Sequence, residues 1–255
     1  MGAHQKIDRV AWRMLQTLAP DADFPDIKLL LHFEGKNGPD GVKRKSPAKD
    51  EPWHYYNPKS TVPEPLLEDI TDHYHNLVIE LRRKNNERAA FEAAWLAHAL
   101  VDGLTPAHHY PYEEELAKLR GTGNETRTSV REKIVITGDT TLDTLAKNWK
   151  VWGAKGLMTA HYQFEWGVAA LMKPLRFKKG MPSEVDMVAA QKDGVVAVFE
   201  IAAREIDSFA MYEQFYRFGW TKRLAKEVRQ ELAPRIIKVV ALAWYLAIQE
   251  AEKKA

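Results

Sequence analysis

An all-α, single-domain helical bundle is predicted for this chain on three observations. Apolar residues recur at three- and four-residue steps over long runs, strand-like alternation is nearly absent, and no Pro/Gly/Ser-rich linker divides the 255 residues. The helical runs are "HQKIDRVAWRMLQTL" at the start, "EPLLEDITDHYHNLVIELRRKN", "ERAAFEAAWLAHALVD", a long stretch from Leu142 to Met172, and almost everything from Ser183 to Lys254. The segment "EKIVITG" at 132–138 is the one strand candidate. Two stretches read as irregular: 32–63 and 119–140, the latter within a region of about 110–155. A structureless loop of about thirty residues inside a compact domain is uncommon and often functional.

With 45% hydrophobic and 28% charged residues the chain has the balance of a globular protein that buries a sizeable core. Its formal net charge of +2 argues against a dedicated duplex-binding module, so no stable nucleic-acid complex is expected. The absence of cysteine excludes disulfides, thiolate metal sites and a cysteine nucleophile. Any metal must therefore be held by nitrogen and oxygen. The opening "MGAHQKIDRVAW" lacks the basic and apolar regions of a signal peptide, which reads as cytoplasmic unless a leader has been removed. The most apolar stretch, 236–248, contains Lys238 and is too short to span a bilayer; it reads as a buried C-terminal helix.

The run from Glu87 to Asp102 is apolar nearly all round, as expected of a helix in the middle of a bundle. Yet it carries His98 and Asp102, four residues apart and so on one helical face. A carboxylate buried there is costly unless something compensates its charge, and a cation would do so. Gly103 and Pro106 then stop the helix and bring His108 to the same end. His161 and Glu165 repeat the four-residue spacing. Two helices that each contribute such a pair is how bundles build metal sites, although either pair alone is more often a surface or core contact.

In this constellation "HALVDGLTPAH" resembles the signature of zinc-dependent phospholipase C and the related single-strand-specific (S1-type) nucleases, His-x3-Asp-x5-His with a proline two residues before the last histidine. "HYQFE" is similar to the family's second histidine–carboxylate element, "WHYYNP" to its His-Phe-Tyr-Asp-Pro element, and "GAH" to the nuclease opening. The likeness covers positions 1–165. It implies a phospholipase C/nuclease-type bundle and a cluster of up to three divalent ions, usually zinc, that activates water for phosphodiester hydrolysis. Asp40, His54, His98 and Asp102 would hold one ion, His108, His161 and Glu165 another, and His4, Asp102 and the N-terminal amine of Met1 a third. Asp40 would also orient the attacking water or act as general base.

The chain departs from the family at its ends and in its middle. Met1 stands where the family has a tryptophan, and His108 and His161 are 53 residues apart, an insertion expected to form a wall or flap. Asp40 lies fourteen residues before His54, the phospholipase spacing, but Asp50 is a rival. Tyr55, Tyr56 and His109 are candidate substrate contacts, Trp53, Tyr110 and Tyr112 are wall or core aromatics, and His32 is a candidate outer donor to Asp40. The basic run Lys43–Lys45 with Lys49 borders the expected site. His73 and His75 lie two apart in a polar helix, so at least one of them reads as solvent-facing.

The expected partner is thus a phosphodiester, in a phospholipid head group approached by peripheral membrane contact or in nucleic acid. His-Asp phosphohydrolases are a weaker alternative because the chain has no His-Asp dipeptide. A non-catalytic bundle stapled by metal is the alternative of a different class.

Overall fold

The computed structural model describes residues 2–47, 52–62, 64–172 and 176–253. All regular structure among them is helical, in agreement with the sequence. In chain order the helices are α1 (Ala3–Leu18), α2 (Ile27–His32), α3 (Pro39–Lys45), α4 (Pro65–Arg82), α5 (Asn86–Gly103), α6 (Tyr112–Arg120), α7 (Arg131–Ile134), α8 (Thr141–Trp152), α9 (Leu157–Met172), α10 (Glu184–Asp207), α11 (Met211–Phe218), α12 (Lys222–Glu227) and α13 (Ala233–Glu252).

The apolar C-terminal run becomes α13, which packs against α1, α4, α5 and α10 and so forms the spine of the bundle. Trp244 is fully buried there, and its Nε1–H donates to the carbonyl of Ala93 on α5, 3.0 Å away. Truncating an aromatic ring so placed costs about 3–5 kcal/mol. Helices α4 and α5 form a hairpin whose turn passes through Lys84 at φ +56°, and the Asn85 side chain caps α5 by accepting from Arg88 N–H. Alanines on several faces of α5 let its neighbours approach closely, which is why a helix bearing His98 and Asp102 can lie in the interior. At its end Gly103 is required by space: a Cβ there would stand 2.5 Å from Leu66 Cδ2 and 2.6 Å from Phe199 Cζ.

Three expectations are corrected. The strand candidate at 132–138 forms no strand; α7 ends at Ile134, and the carboxamide of Asn148 on α8 then takes the place of a strand partner. That side chain accepts from Ile136 N–H at 3.1 Å and donates to Ile136 C=O at 2.7 Å. The 32–63 stretch is not wholly irregular, since α3 and a 3-10 turn at Gly35–Asn37 lie within it. The run from Leu142 to Met172 is interrupted at Gly153, so α8 and α9 are separate helices. The insertion itself is mostly helical, with a small second core of Leu116, Ile136 and Val151. No described helix is long and apolar enough to cross a membrane.

Candidate metal centre

Asp102 is the hub. Its carboxylate, on the last turn of α5 and almost fully buried, faces four imidazoles. His54 Nδ1 donates to Oδ2 at 2.5 Å, His98 Nε2 lies 3.2 Å from the same oxygen, His4 Nε2 is 3.2 Å from Oδ1, and His108 Nε2 is 3.8 Å from Oδ1. The i, i+4 spacing on α5 sets the His98–Asp102 contact. His4 arrives on the first turn of α1 and stacks on His98 with ring centroids 4.3 Å apart.

His108 is aimed by the turn that the sequence marked with Pro106. Thr105 N–H donates to Asp102 C=O, His108 N–H donates to Thr105 C=O, and the 3-10 turn Pro106–His109 points the ring back toward α5. Its Nε2 lies 2.7 Å from Glu165 Oε1, and His161 Nε2 reaches the same oxygen at 3.1 Å from the preceding turn of α9.

Among the described residues, three groups of side chains could each hold a metal ion, with ligand atoms lying within 4.8 Å of one another: Asp40–His54–His98, His108–His161–Glu165, and His4–Glu34–His98. The second is a ligand set expected from the sequence, and the first is the other expected set without Asp102. The third brings in Glu34, which sequence reasoning missed. Glu34 Oε1 accepts from His98 Nδ1 at 3.0 Å and lies 3.9 Å from His4 Nδ1. One imidazole cannot serve both groups without losing both its protons, and the hydrogen bonding decides between them: His98 Nδ1 is occupied by Glu34, whereas buried His98 Nε2 has only the Asp102 carboxylate 3.2 Å away, and no well-aligned hydrogen bond among the described residues. Buried His54 Nε2 has no hydrogen-bond partner among the described residues. These two nitrogens, set among carboxylates in a chain without thiolates, suit a divalent ion that prefers nitrogen and oxygen.

The electrostatics agree. Burial opposes ionisation of Asp102, but His108, His98 and His4 outweigh it and hold its pKa well below the usual carboxylate value. Burial and His98 oppose a charge on His4, yet Asp102 and Glu34 raise its pKa to about 9. His98 is raised in the same way, burial being overcome by Asp102 and Glu34. His54 is pushed down to about 3 by burial and by Lys43, against the pull of Asp102. Glu165 is lowered because His161 and His108 outweigh its burial. Asp8, also missed from sequence, is buried one turn along α1 from His4; burial and the Glu34 charge raise its pKa well above normal.

The site opens into a cavity of about 480 Å³ lined by His4, Asp40, His54, Asp102, His108, His161 and Glu165. Lys43, Arg44 and Tyr55 line it too, and Lys43 Nζ stands 5.1 Å from the Tyr55 ring centroid. Tyr56 and His109 are not among the lining residues: Tyr56 packs on Phe199, and His109 Nε2–H donates to Gly103 C=O at 2.9 Å. His32 is exposed beside Asn37 and does not support Asp40; the outer partner in this region is Glu34, acting on His98. Nothing in the pattern of "HFEG" distinguishes Glu34, because its burial is created by α1 and α5 closing over it. Of the His73/His75 pair, His75 is exposed, as expected of at least one of them, and half-buried His73 pairs with buried Glu92 at 2.6 Å. Met1, Lys49 and Asp50 lie outside the described residues.

No family model matches this chain, and neither a curated protein nor a solved structure does.

Proposed function

We propose that this chain is a zinc-dependent phosphodiesterase of the kind its sequence resembles, zinc-dependent phospholipase C and the single-strand nucleases. One observation carries the reading: a buried carboxylate, Asp102, faces four imidazoles, and an adjoining His108–His161–Glu165 group lies on the wall of the same cavity. His4, Asp40, His54, His98, Asp102, His108, His161 and Glu165 are the proposed ligands. The chemistry zinc supplies when bound is Lewis-acid polarisation of a phosphoryl oxygen and a lowered pKa for water.

The chain's own groups do the rest. Lys43 and Arg44 place positive charge on the cavity wall, where a phosphodiester anion would sit. Asp40, also on the wall, takes up the proton that the attacking water gives away. Glu34 fixes the tautomer of His98, and the His54 carbonyl fixes that of His108, at 2.6 Å from its Nδ1. Both hydrogen bonds turn an Nε2 lone pair toward the site.

The test is metal content and hydrolysis of bis-p-nitrophenyl phosphate by the unaltered protein, His98→Ala, His161→Ala and the exposed control His75→Ala. Loss of both zinc and activity in the first two variants alone is expected. Equal activity in all four proteins would overturn the reading, and metal binding without cleavage of any phosphodiester would leave a metal-stapled bundle.

A further inference from the structure

The cavity mouth continues into a surface that is unusually apolar for one facing water. On α8, Leu142, Leu145, Trp149 and Trp152 follow at steps of three, four and three residues and so form one stripe. The stripe points outward: Leu142 is 79% exposed, Leu145 65% and Trp149 69%. The inward residue of this helix is Val151, which joins the small second core. On α9, Tyr162 and Trp166 extend the stripe toward the site, with ring centroids 6.3 Å apart for Trp152–Tyr162 and again for Tyr162–Trp166. Trp152, Tyr162 and Trp166 also line the metal-site cavity, so the apolar ridge and the mouth are one continuous surface.

We infer that this ridge of α8 and α9 docks the protein onto a phospholipid bilayer, with α8 lying in the interfacial plane and the mouth facing the head groups. The composition identifies the occupant. Tryptophan and tyrosine favour the head-group boundary, and aliphatic side chains beside them enter the acyl region. Single-stranded nucleic acid needs aromatic faces but gains nothing from Leu142 and Leu145, which stand at the far end of α8 from the Trp152–Tyr162 stack. No acidic residue interrupts the stripe itself. Exposed Lys150 stands beside it, and Lys43 and Arg44 at the mouth complement lipid phosphate. That the head-group phosphodiester is then cleaved rests on the proposed function; the docking itself does not.

The full chain, zinc-loaded and metal-free, is to be sedimented with vesicles of phosphatidylcholine containing phosphatidylglycerol. Beside it go the Leu142→Ser/Leu145→Ser/Trp149→Ala variant and the milder Trp149→Ala. None of the three residues lines the cavity. The expected result is vesicle binding by both forms of the unaltered protein, and a fall of about tenfold or more in the vesicle partition of the triple variant, with a smaller fall for Trp149→Ala. Thermal unfolding and hydrolysis of soluble bis-p-nitrophenyl phosphate should be unchanged in both. Failure of the unaltered protein to bind vesicles, or equal binding by the triple variant, would overturn the inference. So would oligodeoxythymidylate binding lost in the variant with vesicles ignored, or a dimer in solution that the variant dissociates. Vesicle binding by the metal-free protein is read without catalysis, so loss of the phosphodiesterase reading and loss of this one give different results.

Discussion

His108 Nδ1 donates to the backbone carbonyl of His54 at 2.6 Å, so the residue that places one imidazole against Asp102 also fixes the tautomer of the next. With Nδ1 committed as donor, Nε2 is the nitrogen left for a cation; without one, it takes a proton and binds Glu165. Protons and a bound cation would therefore compete for the same atoms.

Zinc loading should release protons. His4, at about 9, and His98, also raised, carry protons near neutral pH when no cation is bound. Ligation requires them neutral, so affinity rises with pH toward about 9. Calorimetric titration at pH 7 in buffers of different ionisation enthalpy should report release of at least about one proton per protein. Heats independent of buffer would contradict this.

Glu34 should be a positioning residue for His98. Glu34→Ala leaves buried Nδ1 without its acceptor and is expected to weaken metal affinity about 10–100-fold. Glu34→Gln, which keeps an acceptor oxygen, should recover much of that loss. Competition with a chromophoric chelator measures both, and equal affinity in both variants and the unaltered protein would remove Glu34 from the site.

His109 gives a pH dependence separate from that of the candidate ligands. Burial pushes its pKa down to about 4, below the usual 6.5. The unfolded chain thus takes up a proton that the folded chain refuses. Stability from this group is complete above pH 6.5 and declines as pH falls toward 4, by roughly 3 kcal/mol. His109→Gln should flatten the fall in denaturant-derived stability between those pH values; an unaltered slope would count against the assignment.

Gly103→Ala should destabilise the bundle by about 1–3 kcal/mol, because the added methyl group collides with Leu66 and Phe199 at the end of the helix that carries His98 and Asp102. Chemical denaturation measures this, and an unchanged midpoint would mean that the two side chains yield freely.

The helical class was legible because the chain repeats a period of three to four residues nearly everywhere, and periodicity is a local property. Most of the candidate ligands were legible for a related reason: His98–Asp102 and His161–Glu165 each sit within one helical turn, and an acidic residue in an otherwise apolar helix signals compensation. "EKIVITG" misled because its alternation is equally compatible with an extended segment whose backbone is satisfied by a side chain, here Asn148.

Local pattern alone established the all-helical architecture, the absence of thiolate chemistry and the pairs that are able to chelate from one turn. Folding decided what depends on distant chain segments meeting: that four imidazoles converge on Asp102, that Glu34 rather than His32 is the buried partner, and that Tyr56 and His109 face away from the cavity. Local spacing encodes which side chains share a turn, whereas burial and charge compensation arise only when α1, α5 and α9 close around one another.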